Sequence, residues 1–213
     1  MRALVVGAAA KLGNEAFYVG LAAGHDLVVA ADAAGEMLLA AGVRPDLVVG
    51  DFDSSAPGAA DRLRSAGITV ESHPERKDAT DLDLAALAAR ARGATALTLT
   101  AAFAQRVDHT LAAFGTLLRC ADLGAEAVEP DMHAWIADSA FRPSVELTVT
   151  EGTTVSLLAI AGRAEHVTLT GFEYPLTDAT LDPLSGLGVS NVVLSAAPRV
   201  DVASGTVLVI ASF

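Results

Sequence analysis

From residue 3 to about residue 130, short apolar runs alternate with segments whose apolar positions recur at helical period. Residues 4–7, 27–31, 47–50, 68–70 and 96–100 read as strands, and residues 14–23, 34–41, 57–66, 80–91 and 108–121 between them read as helices. Strands apolar on both faces and separated by helices predict a mostly parallel sheet covered on both sides. Ligands of such sheets gather beyond the carboxyl ends of the strands, where Asp32 and the pair Asp51 and Asp53 fall. After Pro130 the rhythm changes. Residues 133–137, 145–150, 153–160, 166–170, 191–195 and 206–211 are short, rich in Val and Thr, and separated by turns such as Glu151-Gly152 and Ser204-Gly205. This spacing predicts a β-sandwich or barrel, with the boundary near Phe141-Arg142-Pro143.

Two local patterns add detail. Thr80 followed by Asp83 reads as a capping box with a shortened acid, and Leu84, Leu87, Ala88 and Ala91 repeat along one helix face. Asp83 is explained by that cap, whereas Asp78 and Asp81 are not required by it. In Val43-Arg44-Pro45-Asp46-Leu47-Val48-Val49-Gly50-Asp51-Phe52-Asp53, an apolar run ends in glycine and two carboxylates follow. If the chain stays extended through Phe52, both carboxylates face one side, with their α-carbons roughly 7 Å apart. That separation suits a hydrated divalent ion. An ordinary acidic loop at a strand end explains the same residues.

Composition narrows the classes. The 213 residues are 52% hydrophobic but only 5% aromatic, with a formal net charge of −12. So acidic a chain is a poor partner for nucleic acid, which needs a basic face to displace counterions. An anionic ligand must therefore be met by a local cluster or through a metal. Arg106-Val107-Asp108-His109 is one such place, because a cation at a helix start forms a phosphate seat. A surface arginine, a plain Asp108 N-cap and a solvated His109 account for it as well. Cys120 is the sole cysteine and has no internal disulfide partner; no Cys/His spacing suits zinc, and the default is a reducing, cytoplasmic setting. The first residues superficially resemble a short signal peptide but read as a buried first strand ending at Gly7, and no run reaches membrane-spanning length. Tyr174, beside Pro175, has a ring placed to face a ligand or simply to pack.

Taken in order, Ala31-Asp32, Arg44-Pro45-Asp46, Gly50-Asp51-Phe52-Asp53-Ser54, Lys77-Asp78-Ala79-Thr80-Asp81, Arg106-Val107-Asp108-His109, Gly171-Phe172-Glu173-Tyr174-Pro175-Leu176 and Ser190-Asn191 resemble the thiamine pyrophosphokinase family over nearly the whole chain. The resemblance implies a Rossmann-like α/β domain over residues 1–140 that binds ATP and metal. It also implies a C-terminal β-sandwich domain over residues 141–213 that binds thiamine, and a homodimer whose active sites are shared between subunits. In the reaction it implies, the thiamine hydroxyethyl group attacks the β-phosphorus of ATP, giving thiamine diphosphate and AMP. By position, Asp51 and Asp53 would hold Mg2+, with Asp78 or Asp81 nearby completing the metal and substrate contacts. Asp81 is the first candidate for a general base, and Lys77 and Arg106 would neutralise phosphate oxygens. Asp32, Ser54, Thr80, Asp108 and His109 fall in substrate-binding motifs. Tyr174 would stack on thiamine from the partner subunit, with Ser190 and Asn191 hydrogen-bonding it. The chain departs from the family in carrying Ala33-Ala34 and Ala104-Gln105 where glycine pairs are usual, which bears on the nucleotide loops. A binding homologue without turnover and a metal-dependent nucleotide hydrolase stay open as alternatives.

Overall fold

Five parallel strands carry the first of two units in the computed structural model, which describes residues 1–213 except Leu12, Ser54, Glu75, Lys77, Ala104 and Gln105. The units are Met1–Leu123 and Gly124–Phe213. In the first, β1 (Arg2–Val6), α1 (Glu15–Ala23), β2 (Leu27–Ala31), α2 (Ala34–Ala40), β3 (Leu47–Gly50), α3 (Ala59–Ser65), β4 (Thr69–Ser72), α4 (Asp81–Ala91), β5 (Ala96–Thr100) and α5 (Val107–Arg119) alternate as the periodicity predicts. The strand order is β5-β1-β2-β3-β4, all parallel. Leu4, Val6, Val28, Ala30 and Val48 on one face of the sheet cluster with Tyr18, Leu38 and Leu63 of the helices. Fully burying each Leu or Val there contributes about 1.5–3 kcal/mol. Alternation turns Ala3, Val5 and Val29 the other way, and α4 crosses β1, β2 and β3 with Ala85, Ala86, Ala88 and Ala89 buried. Small residues let its backbone approach the sheet closely.

Motif residues that resemble site residues turn out to brace this sheet. Asp46 accepts a hydrogen bond on Oδ2 from the Val28 amide at 2.8 Å, fixing β3 to β2, and the Arg44 guanidinium donates to the Gly67 carbonyl. Thr80 caps α4 in the reciprocal box predicted from its spacing to Asp83.

The second unit comprises β6 (Glu126–Glu129), β7 (Met132–Asp138), β8 (Ser144–Glu146), β9 (Thr154–Ala159), β10 (Ala164–Thr170), β11 (Ala179–Leu181), β12 (Asn191–Val192), β13 (Arg199–Ser204) and β14 (Thr206–Ser212). Antiparallel runs β12-β9-β14-β7-β6 and β11-β10-β13-β8 form two layers. Alternate residues of both layers meet in one core: Trp135, Val155, Leu157, Val207 and Val209 from the first, and Val145, Val167, Leu169, Val200 and Val202 from the second. This is a sandwich. The division of the chain precedes the one suggested near Phe141, because β7 pairs along its whole length with β14 at the far end of the chain. Among the described residues, no helix is long and apolar enough to cross a membrane.

Candidate active site

A cleft of about 480 Å³ opens beyond the carboxyl ends of the parallel strands. Asp32 follows β2, Asp51 and Asp53 follow β3, Asp81 opens α4, and Arg106 and His109 lie at the start of α5; all line the cleft, as does Thr80. Its floor is made where the loop after β1 meets the loop after β5. The Gly7 amide donates to the Thr100 carbonyl and the Ala9 amide to the Ala101 carbonyl, each at 2.8 Å. A β-carbon on Gly7 would lie 2.5 Å from the Ala101 carbonyl oxygen, so only glycine permits this approach.

Asp32, Asp51 and Asp53 each offer a carboxylate oxygen within 4.8 Å of the others. Asp32 is buried, with its backbone left-handed at φ 48°. Its Oδ1 accepts a hydrogen bond from the Ser55 hydroxyl at 2.8 Å. Gly50 lets the end of β3 come this close, since a β-carbon there would lie 3.0 Å from the Asp32 α-carbon. The chain does not remain extended through Phe52, as the alternation argument assumed. Phe52 adopts φ 61°, and Asp51 Oδ1 accepts from the Asp53 amide at 3.2 Å, an Asx turn. The turn brings the carboxylates together, while the Phe52 ring packs against the core of the first unit. An all-carboxylate oxygen donor set is the chemistry of a hard cation such as Mg2+ rather than zinc.

The other sequence candidates separate into distinct places. Asp78 is exposed, is not one of the three converging carboxylates, and lines a second cavity of about 380 Å³ with Asp83, Arg90, Thr116 and Arg119. Asp83 is structural: burial raises its pKa, but hydrogen bonds from Thr116, Arg119 and Thr80 outweigh this and hold it below its ordinary value. The Thr80 hydroxyl is committed to the same cap. Asp108 pairs with Arg106 at 2.7 Å, and that guanidinium holds the Asp108 carboxyl at about 2. Ser54 and Lys77 lie outside the described residues.

In the second unit, the Tyr174 side chain is exposed while its backbone is fixed by Asn191. Ser190 is left-handed at φ 57°, and its amide donates to Ser156 Oγ at 3.1 Å. Ser55 and the walls formed by Ala8, Ala9 and Ala102 were not among the sequence candidates. Gly7, closing an apolar run, was a readable signal for the loop after β1, whereas nothing in the string links Ser55 to Asp32.

A parallel α/β unit with convergent carboxylates and a cationic helix start beyond its strand ends, followed by a β-sandwich unit, defines a two-unit enzyme class acting on phosphorylated ligands. The family model for the thiamin pyrophosphokinase catalytic domain matches residues 19–128, and that for the thiamin pyrophosphokinase vitamin B1 binding domain matches residues 143–207. The chain belongs to the thiamine pyrophosphokinase family, whose enzymes are ATP-dependent diphosphotransferases. It is 26% identical over 192 residues to thiamine pyrophosphokinase of Bacillus subtilis strain 168, covering 88% of each chain. Among solved structures, thiamin pyrophosphokinase of Geobacillus thermodenitrificans superposes with a TM-score of 0.83 at 27% identity, over 100% of this chain and 98% of that one. The Bacillus subtilis enzyme gives a TM-score of 0.84 at 22% identity, over 100% and 99%, a likeness of fold.

Proposed function

We propose that this protein transfers diphosphate from ATP to the hydroxyethyl group of thiamine, yielding thiamine diphosphate and AMP, at the cleft of the first unit. The observation that carries this reading is the convergence of Asp32, Asp51 and Asp53 in a cleft that also holds Asp81 and Arg106. The three carboxylates fit Mg2+, which when bound would neutralise triphosphate oxygens and favour attack at the β-phosphorus. Asp32 takes the place given to Asp78 in that set, because it reaches the other two. Arg106 supplies the positive charge for the phosphate chain, exchanging Asp108 for phosphate oxygens without desolvating either partner fully. Asp81, at the mouth of α4, accepts the proton of the attacking hydroxyl as the bond to the β-phosphorus forms and AMP departs.

The thiamine ring is assigned to Tyr174, since a cationic thiazolium is attracted to an aromatic face. A homodimer in which the second unit of one subunit serves the cleft of the other, and a cytoplasmic location, complete the reading and rest on the family resemblance. Purified protein with thiamine, ATP and Mg2+ is expected to form AMP and thiamine diphosphate in equal amounts. No AMP beyond that of an Asp53→Asn variant would sink the proposal. Thiamine-independent AMP release would replace it with a hydrolase, and ligand binding without turnover with a binding module.

A further inference from the structure

Tyr174 presents an unusual combination. Its side chain is exposed, with the residue 64% accessible, yet both backbone polar groups are held by one side chain 17 residues further on. Asn191 is only 2% exposed. Its Nδ2 donates to the Tyr174 carbonyl at 2.8 Å, and its Oδ1 accepts from the Tyr174 amide at 3.0 Å and the Val192 amide at 2.9 Å. Oδ1 thus uses both its lone pairs inside the protein. One residue earlier, the Glu173 amide donates to the Val192 carbonyl at 2.9 Å, and Phe172 bridges to Val193. The segment before Pro175 is therefore laid against residues 191–193 as a short ladder, and Asn191 fixes its last position.

An exposed loop can give its amide and carbonyl to water at little cost. A buried amide side chain that satisfies both groups of an exposed tyrosine instead fixes the backbone from which the ring projects. We infer that Asn191 is a positioning residue that acts on thiamine through Tyr174 rather than by touching it. The inference rests on the proposed assignment of thiamine to the Tyr174 ring and revises the direct hydrogen bond that the family resemblance implies for Asn191.

A double-mutant cycle tests it, with the thiamine Kd measured by calorimetry on the wild type, Tyr174→Ala, Asn191→Ala and the double variant. The ATP KM and the melting temperature are followed in each. Tyr174→Ala is expected to weaken thiamine about tenfold, the scale of a cation–π contact. Asn191→Ala should weaken it comparably in the wild-type background, leave the ATP KM unchanged, and add less than about twofold once Tyr174 is gone, since coupled residues are not additive. If the two effects multiply in full, Asn191 acts without Tyr174 and the inference is overturned while the thiamine assignment stands. Should Tyr174→Ala leave the Kd unchanged, the assignment itself fails and takes the inference with it. Asn191→Asp keeps the acceptor and loses the donor; it replaces Asn191→Ala in the cycle if that variant does not fold, with the same expected pattern.

Discussion

Removing the Ser55 hydroxyl should loosen metal binding although Ser55 is not one of the three carboxylates. In Ser55→Ala, Asp32 loses the hydrogen bond that its Oδ1 accepts at 2.8 Å. A carboxylate that has lost this donor is held less firmly in its direction toward the other two. The weaker hold should cost affinity, because three carboxylates converging within 4.8 Å repel one another and Asp32 then turns away from the set more easily. A hydrogen bond to a charged group contributes about 1.5–3 kcal/mol, which corresponds to about 10- to 100-fold in affinity. Loss of a partner that orients a metal ligand typically has the same scale, about 10- to 100-fold. Mn2+ binding followed by electron paramagnetic resonance without nucleotide reads this directly, and the Mg2+ dependence of AMP formation should shift in parallel. A Ser55→Ala protein with wild-type Mn2+ affinity would refute the reasoning.

Three further outcomes are expected. Asp51→Asn should lower AMP formation at least about 100-fold, the several kcal/mol that a bound cation supplies. Without metal, its melting temperature should equal or exceed that of the wild type, since one of three mutually repelling charges is gone; a clear drop would contradict the clustering. Asp83 is held below its ordinary value of 3.8 in the folded state, so its stabilising contribution is complete above about pH 4 and is lost as pH falls through the lowered value. Urea melts should accordingly show the wild type's advantage over Asp83→Asn shrinking from pH 6 to pH 3, and an advantage independent of pH would exclude this origin. Gly7→Ala would set a β-carbon 2.5 Å from the Ala101 carbonyl oxygen. The three nearest atoms, from Ala101 and Ala102, are all backbone, so the floor of the cleft must shift at about 1–3 kcal/mol, measurable as a lower urea midpoint, whereas an unchanged midpoint would mean the two loops are not locked together.

Much of the first unit was legible because its strands are apolar on both faces and its helices repeat at their own period. The Thr80 cap was legible for the same reason, since local spacing alone determines it. What escaped the sequence depends on groups far apart along the chain. Asp32 joins Asp51 and Asp53 only because β2 and β3 are adjacent, and strand order is not written in the pattern. The bonds by which Asn191 holds the backbone of Tyr174, 17 residues earlier, are likewise not written in the string. The strand β13 was missed although Val200 and Val202 alternate, because charged Arg199 and Asp201 dilute the apolar signal. Asp46 was legible as part of a family motif but not as a brace between strands.

The geometry of the cleft depends on where the chain accepts left-handed backbone. Asp32, Phe52 and Ala101 follow β2, β3 and β5 with φ of 48°, 61° and 51°, and none is glycine. Each costs about 1 kcal/mol relative to a relaxed residue, so other contacts must hold all three. Asp32 donates its amide to the Val49 carbonyl and accepts on its own carbonyl from the Gly35 amide; the Phe52 ring packs on the core; Ala101 is buried and accepts from the Ala9 amide. These turns direct the carboxylates into the cleft instead of along the strands. They also explain why Ala33 and Ala34 can stand where the family usually has glycines. The positive φ has already been taken by Asp32, so Ala33 sits at an ordinary φ of −60° and Ala34 begins α2 with only 1% of its surface exposed. At these two positions alanine is compatible with the bend that aims Asp32, and it adds a buried methyl to the helix that follows.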